Sequence, residues 1–201
     1  MSKLELPVPG GYRAWGGGCV AWLAAQLDDQ LSRLAARLDG ASVALLEWQP
    51  AAGSNTIGML LAHMAIVEVH WLQVAREKAG TPAEAERGVR AALGLGMADD
   101  GMPLLPGGGH PETLRGWTAE PYFDLLRRAR RATHATLVDW DDRHLEISVP
   151  VEPRGRATLG WIGYHLLEHF ASHSGQIALL KSLHSRLAAP VNRSAMNEGT
   201  A

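Results

Sequence analysis

Two histidines four residues apart, His169 and His173, form the pair in this chain best spaced to do chemistry together. A separation of four puts both imidazoles on one face of a helix, close enough to share a metal ion. At about 100° per residue they lie about 40° apart, and Ile162, Leu166 and Leu180 fall in the same arc, so both rings are expected to face the interior. Buried imidazoles need partners, because an unsatisfied buried polar group costs about 1–3 kcal/mol. His63 lies at the centre of a second apolar stripe, and a neighbouring helix could bring it opposite the pair. Three neutral imidazoles would make one face of a coordination sphere with open positions for water, which suits zinc or nickel, and by ligand type also cobalt or iron. A hydrogen-bonded core cluster without metal is the competing reading of the same residues.

Other polar groups sit around this trio. The single cysteine, Cys19, excludes an internal disulfide and thiolate-rich metal sites, so a metal must be held by His, Asp or Glu. His165-Leu-Leu-Glu168-His169 also spells the His-x-x-Glu-His of inverted zinc peptidases. Glu168, however, lies about 100° round the helix from His169, toward solvent, and too little chain follows for a distant acidic ligand. His165, about 80° from His173, is a candidate catalytic or substrate-contacting residue, with helix-interface packing as its simpler role. His70 lies two turns beyond His63 on the same expected inner face, about 10.5 Å along the axis, too far to share the metal but placed to line a pocket. Among Arg127, Arg128, Arg130 and Arg131, Arg130 is nearest the interior and is the candidate anchor for a carboxylate or thiol ligand; the others read as solvated surface. Glu68 points away from His63 and is expected in a salt bridge or a subunit contact. Trp71 and Trp161 flank the histidine faces, as core or as pocket walls.

Four helices must position these groups, because four long segments carry a 3.6-residue apolar period and no run repeats the signals of strands. The first runs from about Val20 to Leu38, with Gly16 to Gly18 blurring its start and Gly40 stopping it. The second follows the cap formers Ser54 and Asn55 and continues to Gly80, with Thr56, Met59, Leu60, His63, Ile66, Val67, His70 and Val74 on one face. The third spans about Thr118 to Trp140. The fourth starts after Thr158 and ends before Pro190, carrying His184 on its apolar arc as well. A short helix is expected at 83–93, and the Gly- and Pro-rich residues 94–111 could form a lid. Alternation at Leu145, Ile147, Val149 and Val151 before Glu152-Pro-Arg-Gly155 predicts a small hairpin. The fold class is therefore all-α, a four-helix bundle in one domain over 1–201, with a polar tail from Val191.

Two stretches in the second and fourth helices carry a family resemblance. They are Asn55-Thr-Ile-Gly-Met-Leu-Leu-Ala-His63-Met-Ala-Ile-Val-Glu68-Val-His70-Trp71 and Trp161-Ile-Gly-Tyr-His165-Leu-Leu-Glu168-His169-Phe-Ala-Ser-His173-Ser-Gly175-Gln176-Ile177. They resemble the DinB-like bundle superfamily, with its helical His followed by Glu and an aromatic, and its HxxxH-x-Gly-Gln helix. Helix order and Trp48-Gln49-Pro50 extend the likeness loosely over 18–187. The resemblance implies one divalent metal on His63, His169 and His173, commonly in a homodimer. It also implies relatives that include thiol S-transferases and isomerases using mycothiol or bacillithiol. Ser172 and Ser174 stand where such relatives often carry arginine, so an anionic thiol cofactor would have to be held by other groups.

Composition narrows the function further. Nineteen Lys plus Arg against twenty-one Asp plus Glu leave a net charge of −2, which argues against a nucleic-acid partner. No run approaches the roughly 20 uninterrupted apolar residues of a membrane span, and no basic region precedes an apolar signal core, so a cytoplasmic protein is expected. The preference for arginine over lysine, with abundant Ala and Gly, fits a GC-rich bacterial genome. The expected function is a divalent-metal-dependent thiol S-transferase or hydrolase acting on a small molecule. Two other classes stay open: a non-catalytic, metal-stabilised dimeric binding or stress protein, and a metal-free bundle binding a small ligand in its core.

Overall fold

The computed structural model describes residues 18–76, 84–95, 108–151 and 155–188. It contains six α-helices: α1 (Gly18–Arg37), α2 (Val43–Glu47), α3 (Ile57–Arg76), α4 (Glu84–Ala92), α5 (Ala119–Leu137) and α6 (Leu159–Ala188). One hairpin, β1 (Ser148–Val151) with β2 (Gly155–Thr158), and 3-10 turns at Glu112–Leu114 and Asp142–Glu146 complete the described elements. The all-α expectation holds. The four long helices form the bundle, with α3 packed against α5 and α6, and α1 against the same two. The short helix expected at 83–93 is α4, which lies across α3 and α5. Most of the expected lid, residues 96–107, and the tail from Val191 lie outside the described residues.

The central helix explains the bundle. In α3 the segment Ile57–Ala75 has a mean hydropathy of 1.4 and is 72% buried, as a helix surrounded by partners must be. By length and composition that segment would also suit a bilayer; here Leu60, Leu61, Met64 and Ala65 are buried against the other helices. Thr56, rather than Ser54 or Asn55, caps α3, its hydroxyl accepting the Met59 N–H at 3.1 Å. Thr158 caps α6 as expected, accepting the Trp161 N–H at 3.1 Å. At the uncertain start of α1, the Val20 N–H donates to Asp142 Oδ1 at 3.2 Å. Gly18 there has φ +76°, and a Cβ on it would collide with the same carboxylate, so both its backbone and its neighbour require glycine.

The predicted small hairpin is present and starts later than the alternation: Asp141 forms a capping box with His144 and winds Asp142–Glu146 into a 3-10 turn, so pairing begins at Ser148, opposite Thr158. Five residues are too few to show a helical period, and α2 therefore carried no signal beyond Ser42, whose hydroxyl accepts the Leu45 N–H.

A buried charged node ties the long helices together. Arg130 of α5, 4% exposed, donates from Nε and Nη2 to the two carboxylate oxygens of Glu68 on α3, at 2.9 and 3.3 Å. Its Nη1 reaches Asp28 Oδ1 of α1 at 3.0 Å, and its guanidinium lies 5.5 Å from the centre of the Phe170 ring on α6. Burial works against the charge, yet Glu68 and Asp28 hold the Arg130 pKa above its ordinary value. Arg130 is thus committed to structure. The role of ligand anchor expected for it is corrected, because the inward phase that suggested a ligand reflects a buried ion pair. Glu68 makes the salt bridge expected of it.

Candidate metal centre

α3 and α6 are neighbours, and they bring His63, His169 and His173 together, with one ring nitrogen of each lying within 4.8 Å of the others. Nε2 of His169 is 3.1 Å from Nε2 of His63 and 3.1 Å from Nε2 of His173. Imidazoles bound at about 2.0–2.1 Å to one ion in tetrahedral or octahedral geometry have nitrogens about 3 Å apart, so the spacing suits a shared cation. The donor chemistry agrees. Burial, and then the neighbouring His173, His63 and His165, push the His169 pKa down to about 3, so its ring is neutral at physiological pH. A neutral ring has one N–H, so Nε2 of His169 cannot donate to both facing nitrogens, whereas a cation can accept a lone pair from all three. Nδ1 of His173 donates to Gln176 Oε1 at 2.8 Å, which leaves its Nε2 as the lone-pair donor toward the trio.

Above the trio α6 carries an uninterrupted row of rings at four-residue spacing. Trp161 stacks on His165 at 5.0 Å with 5° between planes, His165 lies 5.7 Å from His169, and His169 lies 4.4 Å from His173. Trp71 of α3 meets both Trp161, at 5.3 Å, and His165, at 5.0 Å, edge to face. His165 is therefore placed beside the trio, touching one of its members. Trp71 and Trp161 act as pocket walls, lining a cavity of about 380 Å³ that opens against the hairpin.

His70 is corrected. It does not line the inner face: its side chain is 51% exposed and directed at α4, with Nδ1 3.4 Å from Glu86 Oε1. Because α3 is buried on almost every side, its apolar phase does not single out one inner face, and α4 covers the side on which His70 stands. Glu86 also accepts from Arg90 Nε at 2.9 Å. The His70 hydrogen bond first, and then Arg90, outweigh burial and hold its pKa below the ordinary carboxylate value. Glu168 is exposed, as the rejection of a peptidase motif required. His184 packs edge-on against Trp48 at 5.4 Å, apart from the trio. Ser174 turns toward α1, where Arg37 Nη1 donates to its carbonyl at 2.9 Å.

Three histidines carried no signal in the sequence: His134, which meets Asp28 at 3.1 Å, His144 of the capping box, and the buried His110. His110 has a buried side chain with Nδ1 2.9 Å from Thr56 Oγ1 and Nε2 4.0 Å from Glu47 Oε1, and it holds the approach to α5 against the start of α3. Gly58 leaves the room: a Cβ there would come within 2.5 Å of the Tyr122 hydroxyl and 3.0 Å of His110 Cε1. His110 stands in a Gly- and Pro-rich segment without periodicity, so nothing local marks it as buried.

A family model described as mycothiol-S-transferase matches residues 22–185, most of the chain and all three histidines of the trio. The chain belongs to this family, within the DinB-like group. No curated protein matches it in sequence.

Proposed function

From this family membership and from the converging histidine nitrogens, we propose that the chain is a divalent-metal-dependent thiol S-transferase, with His63, His169 and His173 as the metal ligands. The observation that carries the reading is the pair of 3.1 Å separations about Nε2 of His169, with Gln176 fixing the orientation of His173. A divalent ion held by His63, His169 and His173 would supply Lewis acidity, the chemistry that makes a nearby thiol easier to deprotonate. The protein's own residues do the rest. Neutral His169 keeps its lone pair available across the physiological range, and Gln176 holds the proton of His173 on Nδ1. His165, in ring contact with His169, is the imidazole placed to accept the thiol proton as sulfur bonds to an electrophilic carbon, the bond from that carbon to its leaving group breaks with its electron pair, and the proton is then passed to the departing group.

The mycothiol that names the family is the thiol to try first, although Ser172 and Ser174 stand where thiol-using relatives often carry arginine. The test is elemental analysis of untagged protein, paired with an assay of mycothiol transfer to a fluorogenic electrophile. About one divalent ion per chain is expected, with turnover that disappears together with the metal in His63→Ala. Stoichiometric metal without turnover on any low-molecular-weight thiol would favour a structural ion in a binding protein. No metal after reconstitution would overturn the reading altogether.

A further inference from the structure

We propose that the cavity between the two tryptophans and the hairpin is the pocket for the electrophilic acceptor, and that it takes a planar, apolar molecule carrying an anionic group. The word acceptor rests on the transferase reading above; the binding site itself rests on the cavity. It is lined by Trp71, Val151, Arg156, Ala157, Thr158 and Trp161, and its volume of about 380 Å³ lies within the range of small-molecule sites. That volume suits a molecule of one or two fused rings and is too small for a folded peptide.

Each wall adds a chemical preference. The indoles of Trp71 and Trp161 meet at 66°, making an aromatic corner against which a flat ring can lie face to one and edge to the other. Trp161 is 42% exposed, which is a large apolar surface left open on a bundle helix, and His165 stacked behind it holds it in place. Val151, Ala157 and Thr158 form a short-chained floor from the two strands. Among the described lining residues Arg156 alone is charged. Ser148 steadies it from the paired strand, its carbonyl accepting from Nη2 at 2.6 Å and its hydroxyl from Nε at 3.0 Å. A positive group fixed at the edge of an aromatic corner, with no described acidic residue in the lining, selects a carboxylate or a similar anion on an apolar body. The pocket is separated from the histidine trio by one imidazole, His165, which touches Trp161, Trp71 and His169 alike.

The experiment is isothermal titration of the full chain with 2-naphthoate and with its neutral analogue 2-naphthylmethanol. Saturable binding of both is expected, with naphthoate the tighter. Arg156→Gln should weaken naphthoate about tenfold while leaving naphthylmethanol within about twofold, and Trp161→Ala should weaken both. Arg156 is exposed, so its variant decides the matter even if Trp161→Ala fails to fold. His63→Ala, lacking metal, should bind naphthoate as the parent does. A parent chain that binds naphthoate but takes up no metal on reconstitution and turns over no thiol would leave the pocket standing and remove the transferase reading. Absence of saturable naphthoate binding by the folded, metal-loaded chain, indifference to Arg156→Gln, or loss of binding in His63→Ala would overturn the pocket.

Discussion

The chemistry of this protein depends on which proton sits on which imidazole nitrogen. His173 is the best-defined case, because Gln176 Oε1 accepts the hydrogen bond of its Nδ1–H and so leaves Nε2 without a proton, facing His169. Gln176→Leu should therefore lower metal affinity about 10- to 100-fold without unfolding the helix, as read by competition with a chromophoric chelator, and Gln176→Glu should restore most of it. His184→Ala should leave the metal content at its parental value, since that ring packs on Trp48; equal loss there would mean that the metal signal follows stability rather than coordination. At this scale the sequence was informative where side chains share one helix and less so where they do not. The spacing of His169 and His173 and the central phase of His63 were enough to pick the trio. His70 and Arg130 had the same inward phase, yet one faces α4 and the other a buried carboxylate, because phase gives a direction but not the group waiting there.

At the scale of elements, α6 and α4 show what regular geometry adds. The four-residue repeat of Trp161, His165, His169 and His173 becomes a continuous column of rings only because α6 runs unbroken from Leu159 to Ala188, so that a pocket wall and two members of the histidine trio share one rigid rod. α4 meets α3 through His70 and Glu86, and Arg90 one turn further along α4 supports the Glu86 carboxylate, with both Glu86 and Arg90 buried. The Glu86 pKa is held below 4.5 in the folded chain, so its contribution to stability is present above the unfolded value and is lost as pH falls from about 4.5 through the folded one. Thermal unfolding between pH 6 and 3 should show Glu86→Gln less stable than the parent at pH 6 and the difference shrinking with acid; a constant difference would place its cost in packing instead. The caps Thr158 and Ser42 obey rules readable from sequence, whereas α1 begins where Asp142, a residue far along the chain, accepts from the Val20 N–H in its first turn.

Across the whole molecule, one buried node decides how the long helices stand. Glu68→Leu strips Arg130 of its bidentate partner and leaves Asp28, 32% exposed, as the remaining carboxylate. We expect a loss of about 3–5 kcal/mol in urea unfolding, most of it recovered in the double variant Glu68→Leu with Arg130→Met, because the cost is that of an uncompensated buried charge. A single-variant loss below about 1 kcal/mol would show that the node is not what aligns the bundle. The sequence by itself determined the all-α class, the four long helices, the α6 cap at Thr158 and the identity of the three convergent histidines. Each of these follows from periodicity or short-range spacing, which a helix converts directly into a face. Only the tertiary structure decided that Arg130 serves the fold, that His70 belongs to α4, that His110 is buried beneath the approach to α5, and that Arg156 closes an aromatic pocket against Trp71 and Trp161. Those outcomes join residues tens of positions apart, and the contact that fixes each is chosen by how whole helices and a hairpin pack, which no local period encodes.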